Sequence, residues 1–347
     1  MVGISSIGIY VPRSRLDRAL VAKAWGKKQP AGEKAVAHFD EDALTMAVEA
    51  GHRCLADFDP SAFDGLFFAS TSAPYREKQV ASVVATACDL PREIVTADFS
   101  GSVRAGLTAL TAALRTVASG GAKRILVVAS DCRPAEPDGD LEGLFGDGAV
   151  AVVVDAKARL AAFEGAAAVA EEFTFQWRTD AGDAVQAQDQ RFSLTHGYLR
   201  DLGEVIGRVL NEHGVGNEQL AALAVGSPDA RAAQDLAKAV GIDAKTQLVP
   251  SLIAQIGVLG SPDPLLLLGA ALRAGSVQTS PARLTWRVWN NRSMERKLSM
   301  LPGVSSMWRR TSCKEVEGPA LAADDTSLRA HIGTAAPAQT SNITHAA

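Results

Sequence analysis

A strand-to-helix junction at residues 96–106 combines small side chains with a geometry suited to covalent chemistry. The segment passes from a β-type pattern through serine and glycine into a helical pattern. At a helix N-terminus the unpaired N–H groups and the helix dipole stabilise negative charge, so they lower the pKa of a thiol or hold an oxyanion. A nucleophile is therefore expected here. The other interpretation is that the small residues only let the helix pack closely under the sheet.

A second glycine-containing segment, residues 145–154, superficially resembles a dinucleotide-binding loop. Its sequence is FGDGAVAVVV, which contains the spacing G-x-G-x-x-A. A dinucleotide site needs a strand, then the glycine turn, then a helix, whereas these glycines precede a β-branched run that predicts a strand. We therefore exclude a nucleotide site. The glycines around Asp147 are expected to form a tight turn in which the Asp147 side chain bonds the local backbone.

The elements that must position these segments alternate between short apolar runs and amphipathic stretches of helical length. This alternation predicts an α/β fold, a sheet with helices on both faces. The predicted strands cover residues 3–10, 64–71, 94–98, 124–130 and the β-branched run that ends at 154. The predicted helices cover residues 78–88, 102–117 and a stretch that follows the capping residue Asp42 and ends at 55.

The second part of the chain repeats this theme more weakly. Helices are predicted at residues 192–213 and 229–240 and around the Leu265 run, with a strand at 220–226. We therefore divide the chain into an N-terminal half at 1–155, a C-terminal half at 156–275 and an irregular or disordered tail at 276–347.

The expected end of the C-terminal half is missing from the sequence. By symmetry with residues 145–154, that half should finish with a strand, a glycine turn and another strand, and no such pattern follows Gly275. We therefore expect this half to be truncated. Our hypothesis is that an altered gene end leaves a foreign tail and an exposed strand edge that needs a partner.

Composition and charge exclude several classes of protein. The 347 residues are 47% hydrophobic and 21% charged, which is ordinary for a globular chain. The formal net charge of −4 gives no electrostatic reason to expect a nucleic acid or a membrane surface as a partner. The four cysteines lack metal-ligand spacing, so no metal is expected. No secretory signal or membrane-spanning run is apparent, so a cytoplasmic location is expected.

The chain resembles the thiolase superfamily in several segments. These are IGIYVPRSRLDR, FDEDALTMAVEA, FFASTSAPYREKQ, the small-residue junction and FGDGAVAVVV. More narrowly, the chain is similar to the branch that contains hydroxymethylglutaryl-CoA synthase-like proteins and ketoacyl synthase III. The resemblance implies a five-layered αβαβα fold of two similar halves, usually a homodimer. It also implies acyl-CoA or acyl-carrier thioesters as substrates, with coenzyme A entering as the thioester and no tightly bound cofactor.

The resemblance also implies a cysteine nucleophile, which this sequence lacks. In the branch, that cysteine directly precedes a basic residue, an alanine and a glycine. Arg104, Ala105 and Gly106 match this pattern, and Val103 occupies the cysteine position. Valine has no lone pair with which to attack a thioester, so the standard covalent step cannot run at this position.

Three further catalytic groups implied by the resemblance are also replaced. Gly226 stands where a histidine is implied, and Val258 stands where an asparagine is implied. A glutamate is implied soon after Phe67 and Phe68, where Ser70 and Thr71 stand.

Three interpretations remain open at this stage. In the first, Ser102 acts as a poorer nucleophile, which needs an activating base that the sequence does not identify. In the second, the chain is a noncatalytic subunit that assembles with an active thiolase and an OB-fold/zinc-ribbon partner. In the third, the protein carries out different chemistry on an acyl-CoA in the same pocket.

Overall fold

The secondary structure is described for residues 1–275 and for the backbone of residues 282–283, in a computed structural model. The strands are β1 (Gly3–Tyr10), β2 (Ser14–Asp17), β3 (Glu33–Val36), β4 (Gly65–Ala69), β5 (Val95–Phe99), β6 (Arg124–Asp131), β7 (Gly148–Asp155), β8 (Ala161–Ala162), β9 (Gln176–Trp177), β10 (Gln186–Ala187) and β11 (Ala282–Arg283). The α-helices are α1 (Arg18–Trp25), α2 (Ala43–Leu55), α3 (Val80–Ala87), α4 (Ala105–Ala118), α5 (Gln190–Ser193), α6 (Leu199–Glu212), α7 (Ala230–Ala239), α8 (Ile253–Ile256) and α9 (Asp263–Gly275).

A seven-stranded mixed sheet in the order β11-β8-β1-β7-β6-β4-β5 organises the described residues. Its centre is antiparallel, because β7 pairs with β1 on one side and with β6 on the other. β4 runs parallel to β6, and β5 runs parallel to β4. Within the described residues β5 therefore forms one edge of the sheet.

The middle of the sheet comes from the β-branched run that the sequence predicts as a strand. All eight residues of β7 are buried, because helices cover both faces of the sheet. α2 packs on one face, while α4 and α9 pack on the other. Leu265 on α9 is fully buried, so the predicted buried helix around the Leu265 run is confirmed.

The start of α2 also matches the sequence prediction. Asp42 Oδ1 accepts a hydrogen bond from Thr45 N, and Asp42 N donates to Thr45 Oγ1, both at 2.8 Å. This reciprocal capping box satisfies two backbone donors that would otherwise lack partners at the helix start. The helix begins at Ala43, directly after its cap.

The antiparallel pair β2–β3 and the helix α1, which lies between these strands in the chain, have no counterpart in the predicted elements. Arg18, the first residue of α1, is buried, and its guanidinium joins three distant segments. It donates to the carbonyl oxygens of Gly143 at 2.5 Å, Ala31 at 3.1 Å and Ile253 at 2.6 Å. An apolar pattern does not reveal an element whose anchor is a buried charged residue.

The helices of the C-terminal half are confirmed, but its predicted strand is wrong. α5, a π-helical turn at Leu194–Tyr198 and α6 together cover the stretch predicted at 192–213. The stretch 220–226 makes a single parallel bridge, between Leu223 and Leu248. Next to this bridge, Gln247 N donates to the Asp243 carbonyl oxygen in a local turn, so it does not pair with the stretch 220–226.

The predicted tail at 276–347, which includes Cys313, lies outside the described residues. Its exception is the backbone of β11, which pairs in parallel with β8. In the part of the chain that is described, no helix is both long enough and apolar enough to cross a membrane.

Candidate functional site

The turn between β5 and α4 contains Ser102 and Val103, the residues of the predicted nucleophile site. Gly101 adopts a left-handed φ of 83°, and α4 begins at Ala105, later than predicted. Ser102 Oγ accepts a hydrogen bond from Arg104 N at 3.2 Å, and the Ser102 carbonyl accepts one from Ala105 N at 2.9 Å. These bonds close a separate turn ahead of the helix.

Ser102 has no activating partner in this turn. Its oxygen accepts the Arg104 N–H, and no histidine or carboxylate in residues 1–275 forms a hydrogen bond with it. A serine hydroxyl needs an adjacent base to attack an acyl group efficiently. The neighbouring Val103 side chain remains 39% exposed, so an apolar group is presented to solvent at the predicted nucleophile position.

A surface cavity of about 720 Å³ opens beside Ser102. Its walls are formed by Phe99, Ser100, Ser102, Arg104, Ala105, Thr108, Ala170, Glu171 and Glu172. Arg104 Nη1 donates to the Val169 carbonyl oxygen at 3.1 Å, which ties the segment around residue 170 to the start of α4. The cavity thus places two carboxylates on a wall shared with Ser102, a juxtaposition that no spacing in the sequence indicates.

The loop at residues 258–262, ahead of α9, packs directly against α4. A Cβ atom on Gly106 would lie 2.3 Å from the Ser261 carbonyl oxygen, so only glycine permits this approach. The same Ser261 donates its N–H to Asp131 Oδ2 at 2.8 Å. Close packing of the helix therefore accounts for one of the small residues of the junction, as the alternative interpretation predicts.

Asp131, at the end of β6, is fully buried and accepts hydrogen bonds from the loop that follows β4. Its Oδ1 accepts from the hydroxyls of Ser70, Thr71 and Ser72 and from Thr71 N, at 2.6–3.0 Å. Ser70 and Thr71, which stand where the resemblance implies a glutamate, are therefore engaged in holding this loop to β6.

Gly226 and Val258 stand where the resemblance implies a histidine and an asparagine, and both are closely packed against neighbouring residues. A Cβ atom on Gly226 would lie 3.0 Å from Pro264 Cγ, and the Gly226 carbonyl oxygen accepts the Tyr198 hydroxyl at 3.0 Å. Val258 is buried in an apolar cluster with Phe145. Neither position offers a titratable side chain.

The described cysteines do not replace the implied nucleophile. Cys54 and Cys88 are buried, and burial raises the pKa of the Cys88 thiol to about 11. Burial and the neighbouring Asp147 carboxylate raise the pKa of the Cys132 thiol to about 12. Such thiols stay protonated at neutral pH and are poor nucleophiles. Neither Cys88 nor Cys132 belongs to the walls of the cavity beside Ser102.

The prediction that Asp147 bonds its local backbone is wrong. Asp147 Oδ2 accepts instead from Ala37 N at 2.7 Å, in the segment that follows β3. The reason is that the glycine turn packs between two segments that are distant in sequence. Asp147 N donates to the Ala35 carbonyl, and Gly146 N donates to the Val258 carbonyl. The Asp147 carboxylate therefore accepts its hydrogen bond from a segment that is distant in sequence.

Arg133, which is buried, and Asp263, which is partly buried, form a charged region that the sequence reasoning did not identify. Arg133 is 9% exposed, and its guanidinium carbon lies 4.1 Å from the centroid of the Phe145 ring. Burial raises the pKa of the Asp263 carboxyl to about 7, although it accepts from Leu259 N and Gly260 N. The sequence feature that could have indicated this region is the pair of charged residues at 131 and 133, at the end of a buried strand.

Comparison with known proteins places the chain in a family. A family model described as 3-oxoacyl-[acyl-carrier-protein (ACP)] synthase III matches residues 97–170, which include the β5–α4 turn. The hydroxymethylglutaryl-CoA synthase of Thermococcus onnurineus (strain NA1) is 30% identical over 265 residues, which cover 75% of this chain and 75% of that protein. The chain belongs to the hydroxymethylglutaryl-CoA synthase family.

Solved structures show how far the fold of this family extends over the chain. MvaS in complex with 3-hydroxy-3-methylglutaryl coenzyme A has a TM-score of 0.71 and 24% identity, covering 79% of this chain and 78% of MvaS. The 3-oxoacyl-(acyl carrier protein) synthase III FabH from Pseudomonas aeruginosa PAO1 has a TM-score of 0.70 and 19% identity, covering 81% and 92%. The predicted thiolase-like α/β fold and the predicted branch of the superfamily are therefore confirmed.

Proposed function

We propose that this chain binds acyl thioesters of coenzyme A or of an acyl carrier at the cavity beside Ser102. In this proposal the cysteine of the condensing acyltransferases is replaced by Val103. The observation that carries the proposal is the open surface cavity at the β5–α4 turn, where Ser102 shares a wall with the carboxylates of Glu171 and Glu172. Support comes from MvaS and from an HMG-CoA synthase of the same fold, whose solved structures contain 3-hydroxy-3-methylglutaryl coenzyme A and CoA.

In the catalytic form of this proposal, Ser102 accepts the acyl group. Its Oγ attacks the thioester carbonyl carbon, so that a C–O bond forms while the C–S bond breaks and coenzyme A leaves. The hydroxyl proton passes through a base to the departing sulfur. Glu172 on the cavity wall is the candidate base, because the other carboxylate, Glu171, is paired with Arg200 at 3.3 Å.

Radiolabelled acetyl-CoA tests this form directly. We expect the purified wild type to acquire a covalent acyl label and Ser102→Ala to lose it. Ser100→Ala is the matched control, since Ser100 lines the same cavity and should leave the label in place. A label that persists in Ser102→Ala would exclude Ser102 as the acceptor.

The second candidate function is that of a noncatalytic subunit, and β5, the edge strand of the sheet within the described residues, favours it. Val95 on β5 is 65% exposed, and Val103 and Leu107 beside that edge are each 39% exposed. An edge strand with apolar neighbours offers unpaired N–H and C=O groups to another chain. The proposed partners are a second copy of this chain or an active thiolase, with an OB-fold/zinc-ribbon protein joining the thiolase assembly.

Replacement of an edge residue separates this candidate from the first. We expect Val95→Lys to weaken self-association in sedimentation, or copurification with a coexpressed thiolase. Leu20→Lys, on the exposed face of α1, is the matched control and should leave association unchanged. A wild-type chain that stays monomeric and binds no thiolase would remove the subunit candidate.

A further inference from the structure

The segment at residues 165–173, which forms neither helix nor strand, runs along the helix made of the π-helical turn and α6. We call this segment the strap. Its contacts with the helix follow in antiparallel order and join Phe173 to Gly197, Glu171 to Arg200, Ala168 to Arg208 and Gly165 to His213. From residue 197 to 213 a helix rises about 24 Å, and an extended chain from 165 to 173 spans about 26 Å. The strap and the helix therefore match in length.

The strap forms one wall of the cavity beside Ser102. Ala170, Glu171 and Glu172 belong to the strap, whereas the other residues that line the cavity come from β5, the turn after it and α4. Glu172 is the candidate base of the proposed function. Its place in the cavity therefore depends on the contacts that hold the strap against the helix.

Three of the four contacts are exposed to solvent. The side chains of Arg200 and Arg208 are 50% and 43% exposed, and Gly165 is exposed as well. Ion pairs and hydrogen bonds of exposed side chains contribute little, because water competes for the same groups. The fourth contact, between Phe173 and Gly197, is therefore the one expected to fix the strap.

The Phe173 ring lies directly on the backbone of the helix. Gly197 is buried, and a Cβ atom on it would lie 2.6 Å from Phe173 Cε1 and 2.7 Å from Cδ1. The ring also stacks on the Phe192 ring, with 5.9 Å between the centroids and 16° between the planes. Gly197 belongs to the π-helical turn, a kind of irregularity that is frequent at functional sites.

We propose that Gly197 is a positioning residue for the cavity. Its missing side chain admits the Phe173 ring, and the ring in turn places Glu172 on the wall shared with Ser102. This inference rests on the proposed function. A side chain at residue 197 displaces the ring, and the Glu172 carboxylate moves with it because the two residues are adjacent in the chain.

Cleavage by a glutamate-specific protease tests the placement of the strap without any ligand. We expect Gly197→Ala to speed cleavage after Glu171 and Glu172 roughly tenfold in the full-length chain, because overpacking releases the strap and proteolysis follows the released population. Gly207→Ala is the matched control, since it adds an alanine to the same helix where its Cβ meets nothing within 4 Å. It should leave the cleavage rate unchanged.

A double-mutant cycle tests whether the ring transmits the effect. Valine at residue 173 ends at Cγ, short of the ring atoms that a Cβ on Gly197 would meet. Phe173→Val alone should speed cleavage, because the ring no longer holds the strap. Gly197→Ala should then have little further effect in a chain that already carries Phe173→Val, since the two residues act through one contact.

The acyl label from acetyl-CoA measures the catalytic consequence. At saturating acetyl-CoA we expect Gly197→Ala to acquire the label about tenfold more slowly than the wild type, because a displaced base reacts poorly. The half-saturating concentration should change much less, since Ser100 and Thr108 on the other wall are unaltered. Gly207→Ala should match the wild type in both quantities.

The outcomes separate this inference from the function on which it rests. Equal cleavage rates in Gly197→Ala and Gly207→Ala overturn the placement of the strap by Gly197. Faster cleavage with an unchanged labelling rate overturns the positioning of the carboxylate. Additive effects of Gly197→Ala and Phe173→Val overturn transmission through the ring.

The remaining outcomes concern the function itself and the folding of the variants. A wild type that acquires no label overturns the proposed function, while the cleavage rates still decide whether Gly197 places the strap. Circular dichroism confirms that each variant folds. If Gly197→Ala does not fold, Phe173→Val alone gives an independent reading, because it leaves the helix unchanged and should still speed cleavage and slow labelling.

Discussion

Two buried arginines in different parts of the molecule use their hydrogen-bonding capacity differently. Arg18 donates through Nε, Nη1 and Nη2 to three carbonyl oxygens that belong to separate segments. Arg133 donates to one side-chain oxygen and leaves Nε unpaired. Both are taken out of water, so the difference lies in what satisfies them. An arginine whose donors are all taken by backbone carbonyls crosslinks the segments that carry those carbonyls, whereas Arg133 keeps one buried N–H without a partner.

The largest expected effect is at Arg18. Arg18→Met leaves the carbonyls of Gly143 and Ala31 without donors and removes one of the two donors of the Ile253 carbonyl, and each buried acceptor left unpaired costs about 1–3 kcal/mol. Urea unfolding measures the loss. Arg231→Met, at an exposed pair with Asp235, should cost less than about 1 kcal/mol. Equal effects at the two positions would mean that burial of Arg18 contributes nothing.

The second prediction concerns the carboxyl beside Arg133. Burial raises the pKa of Asp263 from 3.8 to about 7, with Asp131 adding to the rise and Arg133 opposing it. Between these pH values the folded state binds the proton that the unfolded state has released, so this group's contribution to stability falls as pH rises and is constant above 7. The unfolding free energy of Asp263→Asn should therefore exceed that of the wild type by a few kcal/mol at pH 8. The two free energies should be equal near pH 4.

Unfolding free energies across that range measure the effect. Asp57→Asn, at an exposed position, controls for the change in net charge. An Asp263→Asn variant with the same pH profile as the wild type would show that the carboxyl is solvated.

The third prediction tests how tightly the loop at 258–262 packs on α4. Gly106→Ala places a Cβ 2.3 Å from the Ser261 carbonyl oxygen, and overpacking of this kind costs roughly 1–3 kcal/mol. Gly207→Ala in α6 meets nothing within 4 Å and should instead stabilise by about 0.5–1 kcal/mol, because alanine loses less backbone freedom. Thermal unfolding compares them; the same sign at both positions would contradict the close approach.

The smallest expected effect sharpens the contrast between the two arginines. Arg133→Met keeps much of the apolar stem and removes one hydrogen bond, to Gln176, together with the contact between the guanidinium and the Phe145 ring, so we expect a loss of about 1 kcal/mol in the unfolding free energy. Urea unfolding beside Arg18→Met checks this. A loss as large as that of Arg18→Met would identify Arg133 as a second crosslink.

Local patterns predicted much of the fold because the forces behind them act over a few residues. The Asp42–Thr45 capping box and the β-branched run of β7 lie within single segments, and both predictions are confirmed. The sequence did not predict α1, and it wrongly predicted a strand at 220–226, because the contacts that decide these two segments lie between distant parts of the chain. Arg18 is held by carbonyls from other parts of the chain, and within the stretch 220–226 only Leu223 has a strand partner, at Leu248.

The candidate site divides in the same way. Residue types at the β5–α4 turn are read directly, so the sequence itself supplies Ser102 and places a valine after it. It does not show that Glu171 and Glu172 share a cavity wall with Ser102, or that Arg133 lies buried against Phe145. Those neighbours come from segments far apart in the chain, and no local pattern records which segments meet.

The sequence by itself determined the α/β class, the central buried strand and the absence of a thiol at residue 103. Only the tertiary structure decided which polar groups have hydrogen-bond partners. It places three carbonyl oxygens against the Arg18 guanidinium and donors against both carboxylate oxygens of Asp131, and it leaves Arg133 Nε without a partner. The physical reason is that secondary structure follows from short-range periodicity and capping. Burial and hydrogen-bond satisfaction depend on chain segments that meet only after folding.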